Sequence, residues 1–169
     1  IDKKALWKKE WKPVFLRRVQ IEQKLPLIIN WLEKISNTEN SYLWGGTIGP
    51  DFDCSGLVQT AFANENIWLP RDAYQQEKFC QPIDFDINGL KNLFPGDLIF
   101  FGNKERCSHV GIYKGEGLYW HSSSESTGRN GIGIDQLQKN ATDKVSSYYR
   151  SILRGAGRVN SCHDGSTII

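Results

Sequence analysis

Leu57, Val58, Ala61 and Phe62 repeat at the 3.6-residue period of a helix, and the residue that opens its first turn is Cys54, inside Asp51-Phe52-Asp53-Cys54-Ser55-Gly56. Asp51 or Asp53 is the expected N-cap. A thiol at such a position faces unpaired backbone N–H groups and the positive end of the helix dipole, which favours the thiolate. Free cysteine titrates near ~8.5 and is only about 3% ionised at pH 7, so a nucleophilic thiol needs this help or that of an imidazolium. The Asp, Ser and Gly around Cys54 argue against a buried structural cysteine.

A base is available downstream. Phe94-Pro95-Gly96 reads as a turn, Asp97 to Phe101 as a strand, Gly102 to Ser108 as a polar loop and His109 to Lys114 as a second strand. If Gly115-Glu116-Gly117 is the next turn, Lys114 faces Leu118, which places His121 opposite Gly111 and diagonal to His109. Both histidines then share one face of the sheet, and diagonal partners lie roughly 7–8 Å apart at the backbone, within hydrogen-bonding reach for two imidazoles. His109 is the expected base and His121 its orienter, with Gly111 leaving the space between them open. Zinc is the other reading of one Cys and two His, but Cys54 and His109 are 55 residues apart with no CxxC or HxxxH, so no metal and no cofactor is expected.

Five ordered blocks carry a resemblance: Leu43-Trp44-Gly45-Gly46, Asp53-Cys54-Ser55-Gly56, Leu69-Pro70-Arg71-Asp72, Pro95-Gly96-Asp97-Leu98-Ile99-Phe100-Phe101 and His109-Val110-Gly111-Ile112-Tyr113. Together they resemble the NlpC-type cell-wall peptidases, which are papain-like cysteine peptidases, from about Tyr42 to Val159. The resemblance implies a γ-D-glutamyl-diamino-acid endopeptidase acting on peptidoglycan stem peptides, murein tripeptide or tetrapeptide, before meso-diaminopimelate or lysine. It makes Cys54 the nucleophile, His109 the base and His121 the third member, and it adds the Tyr42 hydroxyl beside the Cys54 N–H for the oxyanion. Positions matching Asp53, Ser55 and Asp72 line the amine pocket in relatives that demand a free N-terminal L-Ala. Such a substrate places an ammonium near a D-Glu carboxylate, and Asp53, Arg71 and Asp72 offer both charges.

A chain of 169 residues with 39% hydrophobic content suits one domain with a real core. Its net charge of +2, without a basic stripe, argues against nucleic acid, and no apolar run approaches the roughly 18 residues of a membrane span. The chain has no methionine, so Ile1 is not expected to be a native start. Residues 1–24, with Trp7 and Trp11, read as the tail of an upstream module or linker, which the resemblance makes SH3-like; the compartment, bacterial cytoplasm or envelope, stays open. Residues 25–160 form the catalytic domain, and 161–169, with His163, read as a disordered tail.

Within that domain Leu25, Ile28, Ile29, Leu32 and Ile35 predict a helix from near Pro26 to Ile35, since proline belongs in a first turn. Ser122 to Asn130 is expected to be a loop that walls the cleft, and Tyr148 to Arg154 a final strand broken by Gly155 and Gly157. Cys80, Cys107 and Cys162 show no disulfide spacing and are expected to be free thiols. The fold class is therefore α+β: a papain-like core with the nucleophile at a helix N-terminus, packed on an antiparallel sheet carrying both histidines. An acyltransferase or amidase on this scaffold would use the same chemistry, but its lipid-modifying forms place His before Cys. A non-catalytic cell-wall binding domain should have lost one of the three residues.

Overall fold

The computed structural model describes residues 15–87, 90–138 and 142–166. Residues 1–14 with Trp7 and Trp11, and 167–169 of the tail, lie outside the described residues. In chain order the elements are α1 (Arg18–Ser36), α2 (Cys54–Ala63), α3 (Ala73–Phe79), β1 (Gln81–Ile83), β2 (Leu98–Gly102), β3 (Cys107–Gly115), β4 (Leu118–Ser123), β5 (Gly131–Gln136), α4 (Lys144–Ser151) and β6 (Leu153–Arg158). The strands form one antiparallel sheet in the order β1-β6-β2-β3-β4-β5.

Both faces of this sheet are covered, so β2 is buried at every position and reads as an unbroken apolar run. Leu98 and Phe100 point into one core with Val110, Ile112 and Trp120, closed by Ile21, Ile28 and Leu32 of α1 and by Leu57, Val58, Ala61 and Phe62 of α2. Ile99 and Phe101 point into the other, with Tyr113, Tyr119 and Tyr149, which α4 supplies. The helical stripe read after Cys54 is therefore the surface by which α2 is buried, while its first residue stays at the end of the core.

Three elements differ from expectation. Helix α1 begins at Arg18 and contains Pro26, because burying Ile21 together with Ile28 and Leu32 outweighs the one helical hydrogen bond that proline forfeits. Residues 18–24 thus belong to the packed body of the domain. Tyr148 and Tyr149 are helical, since Asp143 caps α4 by accepting from the Ser146 N–H at 3.0 Å, and the final strand starts only at Leu153. Gly155 and Gly157 do not break that strand. A Cβ at Gly157 would lie 2.7 Å from Cys80 Cβ and 3.1 Å from the Phe100 ring, so glycine is what lets these side chains approach.

The tail expected to be disordered is tied down where it is described. Ser161 bridges to Arg17, Cys162 is buried, and the His163 N–H donates to the Trp68 carbonyl at 2.8 Å. All four cysteines are free thiols.

The start of α2 is locked by close backbone contact. A Cβ on Gly56 would lie 1.9 Å from the Gly46 carbonyl oxygen, which also accepts from the Asp53 N–H. Gly56→Ala should therefore cost roughly 1–3 kcal/mol or more through overpacking against backbone. Urea unfolding should show a lower midpoint at unchanged slope; an unaltered midpoint would refute the contact's importance.

Candidate active site

Asp53, one of the two caps read from the sequence, is the N-cap of α2, its Oδ1 accepting from the Gly56 N–H at 2.7 Å. Its other oxygen accepts from the Gly45 N–H at 2.9 Å and from Arg71 Nη2 at 2.5 Å, while Arg71 Nη1 reaches Ser55 Oγ at 2.9 Å. Gln76, fully buried, donates to the carbonyls of Ser55 and Pro70 and so clamps the first turn of α2 to the segment before α3. Cys54, the first residue of α2, is held from several sides.

The histidines reach their places by sheet register. Ile112 faces Trp120 and Tyr113 faces Tyr119, the register expected from sequence, although the turn is tighter: Gly115 pairs with Leu118 and Lys114 is bulged out. His109 and His121 are then diagonal neighbours, and His109 Nε2 lies 2.7 Å from His121 Nδ1. Among the described residues His109 Nδ1 has no hydrogen-bond partner. The Tyr149 ring stacks on His109 at 4.4 Å between centroids, with 29° between planes.

The line continues to a residue that sequence reading missed. His121 Nε2 lies 2.7 Å from Asp135 Oδ2, and Asp135 accepts in addition from Arg129 and from Ser146 Oγ at 2.9 Å. On β5 Gly133 faces His121, so Asp135 is diagonal to His121 just as His121 is to His109. The signal was present: Ile132 and Ile134 alternate with Gly133 and Asp135, the period of a strand, in the segment that follows the expected loop. Of that loop, Ser124 and Thr127 do wall the cavity beside His109, while Ser122 and Ser123 belong to β4.

Two cavities meet at the thiol. One of about 140 Å³ is shared by Cys54 and His109 and lined by Tyr42, Thr127 and Tyr149. The other, of about 380 Å³, is lined by Cys54, Tyr42, Trp44, Ser55, Arg71, Asp72 and Arg106. The structure thus gathers the residues singled out from sequence around Cys54: Tyr42, Asp53, Ser55, Arg71 and Asp72 line the larger cavity with it, Tyr42 and His109 the smaller, and His121 stands behind His109. Two placements differ in detail. Arg71 is neutralised by Asp53, and Asp72 is an exposed N-cap of α3. Arg106, which sequence reading passed over, projects into the same cleft over the Tyr74 ring, 4.1 Å from its centroid, and makes no ion pair among the described residues.

Electrostatics depart from expectation too. Burial, and then the Asp53 carboxylate, push the Cys54 thiol up to about 11, against the opposing pull of backbone hydrogen bonds from Val110 on β3 and from Ser55 and Cys54 at the helix start. Burial and the neighbouring His121 hold His109 well below the usual histidine range, and burial also lowers His121. The unliganded pair is therefore neutral thiol beside neutral imidazole. Burial pushes Tyr42 up to about 12, with Cys54 adding to it, so its hydroxyl remains a donor. Burial would raise Asp135, but hydrogen bonds from His121, Arg129 and Ser146 bring it down to about 2.

A cysteine at a helix start, sharing a cavity with an imidazole that a second polar group holds from behind on an antiparallel sheet, is the layout of a papain-like cysteine peptidase. The comparisons narrow this class. The NlpC/P60 family model matches residues 39–151, and the chain belongs to that family. It is 38% identical over 123 residues to the bifunctional muramidase/DL-endopeptidase CwlT of Bacillus subtilis, covering 70% of this chain and 32% of that protein. Over 84 residues it is 39% identical to the γ-D-glutamyl-L-lysine dipeptidyl-peptidase of Bacillus subtilis, covering 48% of this chain and 27% of that one. The chain thus spans about a third or less of these relatives' lengths. The crystal structure of an NlpC/P60 family protein from Bacillus cereus superposes with a TM-score of 0.58 at 28% identity, covering 78% of this chain and 40% of that one.

The histidines also set a pH response. Folding lowers their pKa values, so protons bind the unfolded chain more tightly and the stability that the neutral pair contributes is lost as pH falls below about 6.5. Asp135 keeps its contribution until pH falls from its ordinary 3.8 towards about 2. Tm should therefore decline between pH 7 and 5, and a double variant His109→Gln/His121→Gln should flatten that decline. An equally steep slope in the double variant would assign it to other groups.

Proposed function

We propose that this domain is a cysteine endopeptidase that cleaves the γ-D-glutamyl bond to the diamino acid, diaminopimelate or lysine, in peptidoglycan stem peptides carrying a free N-terminal L-Ala. The observation that carries the reading is one cavity lined by Cys54, an exposed carboxylate, Asp72, and a guanidinium without an ion-pair partner among the described residues, Arg106. A peptide with an ammonium at one end and a D-Glu carboxylate beside the scissile bond complements both charges. The γ-D-glutamyl-L-lysine dipeptidyl-peptidase resemblance supports the same bond.

Each residue has one task. His109 Nδ1 takes the Cys54 proton as the sulfur attacks the γ-carbonyl carbon, and the oxyanion is received by the Cys54 N–H and the Tyr42 hydroxyl. The tetrahedral adduct collapses, the C–N bond breaks, and His109 returns its proton to the departing amine of the diamino acid. Water, deprotonated by His109, then hydrolyses the thioester and frees the thiol. Asp53, Arg71 and Ser55 hold the helix start in register with the substrate, and Asp53 and Ser55 line the same cavity as Asp72, where the substrate amine is received.

The test is incubation with L-Ala-γ-D-Glu-diaminopimelate and its N-acetylated counterpart, with products read by mass. Cys54→Ala should abolish cleavage while the fold survives; turnover above background in the folded variant would remove the thiol from the mechanism. His109→Ala should cost more in kcat than His121→Gln, since Gln still offers His109 one hydrogen-bonding group. Asp72 is exposed before substrate binds, so Asp72→Asn should lower kcat/KM for the free-amine peptide about fivefold, near 1 kcal/mol, and narrow the preference over the acetylated one. A preference that persists at full size would place amine recognition elsewhere.

A further inference from the structure

Behind His109 runs a line of hydrogen bonds whose last member can only accept. Asp135 is 1% exposed and ionised, His121 is fully buried and His109 8% exposed. We propose that Asp135 is a positioning residue that sets the tautomers of both histidines, and thereby decides whether His109 turns a lone pair or an N–H toward Cys54.

The logic follows from donors and acceptors alone. A carboxylate accepts only, so the 2.7 Å contact with His121 Nε2 requires the proton on that nitrogen. A neutral His121 then has a bare Nδ1, which makes His109 Nε2 the donor across their 2.7 Å contact. His109, also neutral, is left with a bare Nδ1 at the cavity it shares with the thiol. When that nitrogen takes the thiol proton, both hydrogen bonds stay as they are and point their acceptors at the new charge. Among the described residues no other side chain orders this line in the opposite sense: Arg129 and Ser146 donate to Asp135, Asp143 is bound by the same Arg129, and Tyr119 and Tyr149 pack against the rings. The glycines make the approach possible, for a Cβ at Gly133 would lie 2.7 Å from Arg129 Cγ and one at Gly111 2.7 Å from the Tyr119 ring.

The isosteric variant Asp135→Asn should therefore be worse than Asp135→Ala. Oδ1 receives Arg129 Nη2 at 2.5 Å and Ser146 Oγ at 2.9 Å, whereas Oδ2 receives His121 at 2.7 Å and Arg129 Nε at 3.3 Å. An asparagine keeps its one oxygen at the Oδ1 place and turns its amide N–H to His121 Nε2. That nitrogen must then be bare, His121 Nδ1 carries the proton and donates to His109 Nε2, and the His109 proton moves to Nδ1, where it faces the thiol and blocks proton uptake. Alanine imposes neither order, because water at the vacated place donates or accepts.

A purely structural role for Asp135 predicts the opposite ranking, since asparagine preserves shape and most hydrogen bonds. The expected result is a kcat at least about a hundredfold below wild type for Asp135→Asn with KM little changed, and a smaller loss for Asp135→Ala; where one imidazole is reversed in this way by Asp→Asn in serine peptidases the loss reaches roughly 10⁴-fold. Thermal melts of both variants establish that each is folded. A larger kcat loss for Ala than for Asn in folded protein overturns the proposal.

The kinetic arm rests on the reading of Cys54 and His109 as nucleophile and base. A second arm does not: nitrogen-15 NMR of histidine-labelled wild-type protein at neutral pH. His109 Nδ1 and His121 Nδ1 should show the shift of an unprotonated ring nitrogen, and both Nε2 atoms that of an N–H. A protonated His109 Nδ1 overturns the relay whatever the substrate proves to be, and a wild type that shows the expected tautomers but cleaves no stem peptide refutes the substrate reading alone.

Discussion

The Asp53 carboxylate is the interaction on which the rest of the site depends. Its two oxygens cap α2, hold the Gly45 N–H of the preceding loop and pair with Arg71 at 2.5 Å, so one side chain joins three segments that are distant in the chain. Removing it would leave Arg71 and two backbone N–H groups without their acceptor in a half-buried place, at the full desolvation cost of each. The direction of α2, and with it the position of the Cys54 sulfur, follows from this junction more than from helix propensity.

The sheet contributes a different kind of order. Two successive diagonal pairings on one face, His109 to His121 and His121 to Asp135, carry a polar line through a region otherwise filled by Phe101, Tyr119 and Tyr149. A buried carboxylate there is tolerable only because every one of its contacts is a donor, including the guanidinium of Arg129. The apolar rings around the line lower the local dielectric, which strengthens the same hydrogen bonds and keeps the imidazoles neutral.

That neutrality changes the picture of how the thiol is activated. A helix start alone lowers a thiol pKa when it is open to water; Cys54 is buried beside Asp53, and desolvation with that negative charge raises its pKa despite the backbone hydrogen bonds it receives. In the proposed mechanism the proton therefore passes from Cys54 to His109 together with the attack on the substrate.

Local pattern was enough to place Cys54 at the start of a helix and to put both histidines on one face of a hairpin, because a 3.6-residue stripe and a two-residue alternation are properties of the chain itself. The register holds even though the turn is one residue shorter than the sequence predicts, since the bulge at Lys114 takes up the difference on the turn side of the paired residues. Where packing competes with local preference, the sequence misled: Pro26 lies inside a helix because Ile21 is worth burying, and the two tyrosines at 148 and 149 are helical because one of them fills the space over His109. Asp135 became meaningful only through pairing of β4 with β5, and Arg71 proved to be spent on Asp53. The sequence by itself determined which residues had the chemistry and the element each would ride on. Which charges are already neutralised, which proton sits on which nitrogen and which pKa values are displaced are properties of burial and of partners far apart in the chain, and only the tertiary structure decided them.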